Sequence, residues 1–193
     1  MKRGIVFVVS GPSGAGKHTV LHPILERDPD IEYSVSATTR PPRPGETDGV
    51  DYHFLDDADF RRRVDAGEFA EWAAVHGHLY GTLHAELDRK VASGKDVVLE
   101  IDVQGMRSVK RLRPDAVTLF IMPPSLDALA QRLRGRRTND EADIALRVAN
   151  AKGEMAAANE FDYVVVNDKV EKAVAELESI IQEERRKMSE SQK

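Results

Sequence analysis

Ile5-Val6-Phe7-Val8-Val9-Ser10-Gly11-Pro12-Ser13-Gly14-Ala15-Gly16-Lys17 decides the fold. Its first five residues are a continuous β-branched and aromatic run, the composition of a strand buried on both faces of a parallel sheet. Gly11 ends the run, and from Lys17 onward Val20, Leu21, Ile24 and Leu25 fall at helical spacing. Pro23 holds the start of that helix near Lys17, because a proline ring is tolerated in the first turns of a helix or at a kink. Strand, glycine-rich turn and helix follow one another, the setting in which Gly11-x4-Gly16-Lys17 forms a phosphate loop. Glycines let backbone N–H groups turn inward around an anion-sized hollow, the helix N-terminus adds positive potential, and Lys17 reaches the β and γ phosphates of a triphosphate. A mere connector between two elements is the bland reading, and Lys17 at this position argues against it.

The next residue departs from the motif. His18 stands where a serine or threonine hydroxyl ordinarily meets Mg²⁺, and Thr19 follows it. A neutral imidazole is a poor ligand for a hard ion that prefers oxygen and keeps several waters. His18 is therefore read as turned outward within the loop, Thr19 as the candidate metal contact, and the ion as held mainly by phosphate oxygens and water.

Beyond the loop, further apolar runs occur at Asp96 to Ile101, Ala116 to Met122 and Tyr163 to Val166. Helical stretches separate them: Leu83 to Ser93, Gly105 to Leu112, Ser125 to Leu133 and Glu141 to Glu160. This alternation predicts an α/β fold with parallel strands and crossover helices. Between Ser34 and Tyr80 the texture changes to clustered prolines and short alternating segments, which predicts an inserted β-rich lobe. A last helix with Val170, Val174, Leu177 and Ile181 runs into a charged stretch and a polar tail, 188–193, expected to be frayed.

Composition narrows the classes. With 193 residues the chain can bury one sizeable core, and 33 acidic against 28 basic side chains give a net charge of −5. That balance argues against a surface built for nucleic acid. The absence of cysteine excludes disulfides and thiol catalysis and points to a reducing cytoplasm. The run Ile5 to Val9 is shorter than the apolar stretch of a signal peptide, and no apolar stretch approaches the roughly 20 residues of a membrane span. His76 and His78 lack a third partner and are too few for a metal site.

Ser34-Val35-Ser36-Ala37-Thr38-Thr39-Arg40-Pro41-Pro42-Arg43-Pro44-Gly45-Glu46 sets two arginines three residues apart on a proline-stiffened segment, and arginine forks suit phosphate oxygens. Taken with Gly49-Val50-Asp51-Tyr52-His53-Phe54, Gly67-Glu68-Phe69-Ala70-Glu71-Trp72, Val75-His76-Gly77, Tyr80-Gly81-Thr82, Ile101-Asp102-Val103-Gln104-Gly105, Arg132-Leu133-x-Gly135-Arg136 and Asp162-Tyr163-Val164-Val165-Val166-Asn167-Asp168, the chain closely resembles the guanylate kinase family, in motif order and over nearly its whole length.

The resemblance implies a P-loop NTPase fold and one domain, 1–193. Its core would be 1–33, 91–124 and 148–187, its GMP-binding lobe about 34–90 and its short mobile lid about 125–147. It implies ATP:GMP phosphotransfer with Mg²⁺, to give GDP and ADP in purine nucleotide metabolism. Gly11, Pro12, Ser13, Gly14, Ala15, Gly16, Lys17, His18, Thr19, Arg132 and Asn167 would bind ATP, Asn167 near the adenine. Ser36, Arg40, Arg43, Tyr52, Glu71, Tyr80, Thr82 and Glu100 would bind GMP, with dGMP open as a second acceptor. Arg40, Arg43, Tyr52 and Tyr80 would hold the phosphate, and Ser36, Glu71 and Thr82 would read the base. Lys17, Arg136 and Arg147 would serve the transferring group, and Asp102 would orient water on Mg²⁺.

Taken singly, Glu71 reads as an exposed acid and Tyr52 and Tyr80 as half-buried aromatics; in motif order they read as functional. Trp72 reads as packing beneath the lobe. The arginine-rich run 132–137 reads as a phosphate-closing lid rather than a nucleic-acid patch. Closure of lobe and lid is expected to expel water. A catalytically inactive module that binds phosphorylated protein segments, and a kinase for another nucleotide, are the competing readings. No membrane or nucleic-acid partner is expected, and monomer and homo-oligomer are both open.

Overall fold

A computed structural model describes residues 3–75, 77–135 and 141–191; His76 and the stretch 136–140, with Arg136 and Arg137 of the arginine-rich run, lie outside the described residues. Nine strands and seven helices are assigned among those described. A five-stranded sheet has the order β2-β7-β1-β8-β9, with β1 at Val6–Ser10, β2 at Ile31–Tyr33, β7 at Asp96–Glu100, β8 at Val117–Met122 and β9 at Tyr163–Val166. β8 runs parallel to both β1 and β9, and β2 runs parallel to β7. Phe7, Val8 and Val9 of β1 and Leu119, Phe120 and Ile121 of β8 are all buried, as the unbroken apolar runs predict.

The chain divides into two compact units. One holds Phe7–Pro29, Glu100–Val103 and Val117–Lys193. Its helices are α1 (Lys17–Arg27), α5 (Leu126–Gly135), α6 (Glu141–Ala156) and α7 (Val170–Ser191). Leu129 and Leu133 of α5 pack with Ile144 and Ala151 of α6 as a separate small core. α6 stops at Ala156 and a single 3₁₀ turn, Ala158–Glu160, completes the stretch expected as one helix. α7 carries its hydrogen-bonded turns to Ser191, into the tail expected to be frayed.

The other unit holds Met1–Val6, Asp30–Leu99 and Gln104–Ala116. Within it lie α3 (His84–Ala92) and, from Gln104 on, α4 (Val103–Leu112). The Asp96 carboxylate, almost fully buried, accepts from the Ile5 amide at 2.8 Å. A second sheet, order β4-β3-β6-β5, consists of β3 (Ala37–Thr38), β4 (His53–Phe54), β5 (Phe69–Val75) and β6 (His78–Leu83).

The lobe is β-rich but also contains a helix, α2 (Asp57–Asp65), whose presence the alternating texture did not suggest. Asp56 caps it by accepting from the Asp59 amide at 2.7 Å, two acids lie in its first turn and two arginines in its last. Phe60 stacks on Phe69 with ring centres 4.4 Å apart and packs with Ala37 and Leu79, which closes one face of the sheet. Trp72 is not beneath the lobe: it is 48% exposed. β5 is one of the two edge strands, and Phe69 and Leu79 already fill the core under it.

Candidate active site

The loop from Gly11 to Gly16 keeps Gly11, Gly14 and Gly16 at positive φ. Gly16 is the N-cap of α1 at φ 88°, a left-handed conformation that costs glycine little. Any Cβ there would also run into the Asn167 side-chain amide. No acid lies in the first turn of α1 and no side chain caps it, so its leading N–H groups and positive dipole end stay available to an anion. The Ala15 amide closes back on the Pro12 carbonyl at 3.0 Å and shapes the hollow.

Lys17 donates to the Gly11 carbonyl at 2.7 Å and lies 4.0 Å from a Glu100 carboxylate oxygen. Both belong to the lining of a cavity of about 510 Å³, together with Gly11, Ser13, Gly14, Gly16, His18, Thr19, Ile101, Asp102 and Glu154. The cavity thus gathers the end of β1, the first turn of α1 and the end of β7, the carboxyl-end crevice where open α/β sheets bind ligands. His18 is exposed and meets His22 edge-on at 5.3 Å, but its position also counts among the lining residues.

Support for the loop comes from behind. Asn167, 2% exposed, donates its side-chain amide to the Ala15 carbonyl at 2.8 Å, and Arg132 reaches the Asn167 carbonyl at 2.8 Å and the Ala15 carbonyl at 3.4 Å. The remaining Asn167 amide oxygen is buried without a partner. Arg147 donates to the Ser13 hydroxyl at 3.2 Å and pairs with Asp143 at 2.9 Å. Every described residue expected to serve the triphosphate therefore belongs to the loop, supports it, lines its cavity or touches its rim.

The residues expected for the acceptor, Glu100 apart, sit on and around the second sheet. The register pairs Glu71 with Thr82, and the Thr82 hydroxyl donates to Glu71 at 2.7 Å. Tyr80, two residues before Thr82, points to the same face. The Arg40 guanidinium carbon lies 5.3 Å from the Tyr52 ring centre and 5.9 Å from that of Phe54, and the Tyr52 and Tyr80 rings meet edge-on at 6.1 Å. Hydrogen bonds with Glu46 first, and with Tyr80 after it, hold the Arg40 pKa above its ordinary value. Ser36 directly precedes β3, and its carbonyl accepts from the His53 amide at 2.9 Å. The Arg43 amide donates to Glu46 at 2.7 Å. Glu100, at the end of β7, lies 4.0 Å from Lys17.

Two acids escaped the reading of the sequence as site residues. Glu154 on α6 lines the phosphate cavity, and burial raises its pKa against the opposing pull of Lys17, with Asp102 adding to the rise. No local pattern marks it, since its role depends on a helix remote in the chain. Glu46 was quoted only as part of a motif, although the preceding Pro44-Gly45 is a turn signal that could have returned it to Arg40.

A parallel sheet, a glycine loop opening a helix and a lysine in the hollow define a P-loop nucleotide-binding protein. Comparison with known proteins narrows that class. The family model described as guanylate kinase matches residues 3–184. The chain is 48% identical to a guanylate kinase of Thermotoga maritima over 98% of this chain and 92% of that one, and 48% identical to a guanylate kinase of Aromatoleum aromaticum over 94% and 89%. A crystal structure of guanylate kinase from Anaplasma phagocytophilum superposes with a TM-score of 0.73 at 34% identity, covering 95% of this chain and 87% of that one. The chain belongs to the guanylate kinase family, and it is an enzyme of that kind.

Proposed function

We propose that the protein transfers the γ-phosphoryl group of ATP to GMP, giving ADP and GDP. The observation that carries the acceptor assignment is the Glu71–Thr82 pair, 2.7 Å apart on one face of the lobe sheet that also bears Tyr80. Guanine presents N1–H and N2–H₂ donors beside an O6 acceptor. A carboxylate accepts from the first two, Ser36 and Thr82 supply hydroxyls, and adenine offers the opposite polarity on that edge. Arg40, Arg43, Tyr52 and Tyr80 hold the acceptor phosphate.

On the donor side, the open first turn of α1 and Lys17 take the β and γ phosphates, and Arg147 at the rim and Arg136 neutralise charge on the transferring group. A GMP phosphate oxygen attacks the γ phosphorus and the bond to the ADP oxygen breaks. The acceptor is already an anion, so no catalytic base is needed. Asn167, with an unpartnered buried amide oxygen, is suited to the amino group of adenine. A protein that only docked phosphorylated segments would have no use for Lys17.

Mg²⁺ fits the oxygen donors of the cavity. Asp102, Thr19 and Glu100 line it, and among the described residues no group of three or more ligating side chains is spaced to hold a metal alone. Asp102 would act through water and Thr19 through its hydroxyl, while His18 stays aside. Bound there with ATP, the ion neutralises phosphate charge. Among the described residues no helix is long and apolar enough to cross a membrane; the cytoplasm, as the place where free GMP and Mg-ATP meet, remains part of the proposal.

The test is a panel of GMP, dGMP, AMP and UMP with Mg-ATP and coupled detection of ADP. Release of ADP with GMP, and not with AMP or UMP, is the expected result. No ADP with GMP would remove the proposal.

A further inference from the structure

We propose that Glu46 is a positioning residue for acceptor binding: its carboxylate sets the Arg40 guanidinium and the Arg43 main chain in the arrangement that receives the nucleotide's phosphate. The inference rests on the reading of Arg40 and Arg43 as phosphate ligands and deepens it.

The chain builds this arrangement locally. The Glu46 amide donates to the Arg43 carbonyl at 3.0 Å, closing a turn with Pro44 at its second position and Gly45 at its third. Gly45 has φ +92° and a Cβ there would meet nothing, so the glycine is needed for its backbone angle alone, as in a type II turn. The turn folds Glu46 back over the segment. One carboxylate oxygen accepts from Arg40 Nη2 at 2.8 Å and the other from the Arg43 amide at 2.7 Å. No other acid occurs between Ala37 and Gly45.

The rest of Arg40 is held as well. Its Nη1 donates to the Pro41 carbonyl at 2.7 Å, and its amide donates to the Thr38 hydroxyl at 3.1 Å. Thr38 is itself fixed through the Leu79 carbonyl at 3.0 Å. The Arg40 side chain is only 12% exposed and the Glu46 side chain 19%. The hydrogen bond from Arg40, then that from the Arg43 amide, holds Glu46 below the ordinary carboxylate range, so the pair stays ionised at neutral pH.

An arginine already held in one rotamer loses less side-chain entropy when a phosphate arrives. One carboxylate against two guanidinium groups also leaves a single net positive charge, which attracts an anion without trapping every free phosphate.

The experiment compares Glu46→Gln, Arg40→Ala and the double variant. Glu46→Gln is expected to raise the KM for GMP by about tenfold. The KM for ATP, kcat at saturating GMP and the melting temperature should stay near the parent values. Guanosine, which lacks the phosphate, should inhibit both proteins equally. Arg40→Ala should raise the KM for GMP further, and the double variant should lose less than the sum, because Glu46 acts through Arg40. Full additivity, an unchanged KM for GMP in Glu46→Gln, or an equal loss of guanosine binding each overturns the inference. If Arg40→Ala itself leaves the KM for GMP unchanged, the phosphate-site reading fails first, and that outcome is recognisable by itself.

Discussion

The proposed donor and acceptor regions are built from different materials. For the triphosphate the proposed binding group is main chain: glycines at positive φ, an uncapped helix end and carbonyls that steer Lys17. For the monophosphate the proposed binding group is made of side chains, two arginines and two tyrosines from the segment Arg40 to Tyr52 and from β6, with Glu71 and Thr82 on the same sheet. A hollow of amides grips any triphosphate tail and carries little base information. A wall of side chains can measure one particular nucleotide. Selectivity should therefore respond to lobe substitutions, and turnover to loop substitutions.

The largest effect should come from the donor side. Lys17→Ala is expected to lower kcat by roughly a hundred- to a thousandfold with an unchanged melting temperature. Near-normal turnover in that variant would break the contrast at once. On the acceptor side, Glu71→Gln should cut the preference for GMP over AMP by about tenfold or more while leaving the KM for ATP alone; unchanged selectivity would take Glu71 out of base recognition.

Gly16→Ala sharpens the comparison from the structural side. It forces a left-handed angle on a residue with a Cβ and drives that Cβ against Asn167, for a loss of about 1–3 kcal/mol in urea unfolding. A lobe glycine with open surroundings, Gly67→Ala, should lose less, since only its φ of 68° resists.

The smallest effect concerns pH. Burial raises the Glu154 carboxyl in the folded protein above its ordinary value, so the unfolded chain ionises first and stability falls as pH rises through that range. Glu154→Gln should therefore melt at a higher temperature than the parent at about pH 8 and with no difference at about pH 4. The opposite order would show that ionised Glu154 is stabilised in the fold.

Much of the donor side was legible because its information is contiguous. Apolar runs and the spacing from Gly11 to Lys17 led to β1, the loop and the start of α1 at Lys17, and the structure has all three. The residues expected for the acceptor were singled out only through motif resemblance, as Glu71 and Thr82 become neighbours through a strand register that spacing alone does not set. α2 was missed although Asp56, Phe60, Val64 and Gly67 spelled out its cap, its buried face and its end. The texture of the surrounding prolines and short alternations outweighed that signal.

What the sequence by itself determined is a chain that must form a parallel sheet and a phosphate-binding loop, since local sterics and the burial of apolar runs act through near neighbours. Only the tertiary structure decided that Glu154 shares the cavity of Lys17, that Asn167 lies behind Gly16 and that Trp72 stands at an edge. Those facts depend on which distant segments meet, and packing between remote elements has no signature in the spacing of residues along the chain.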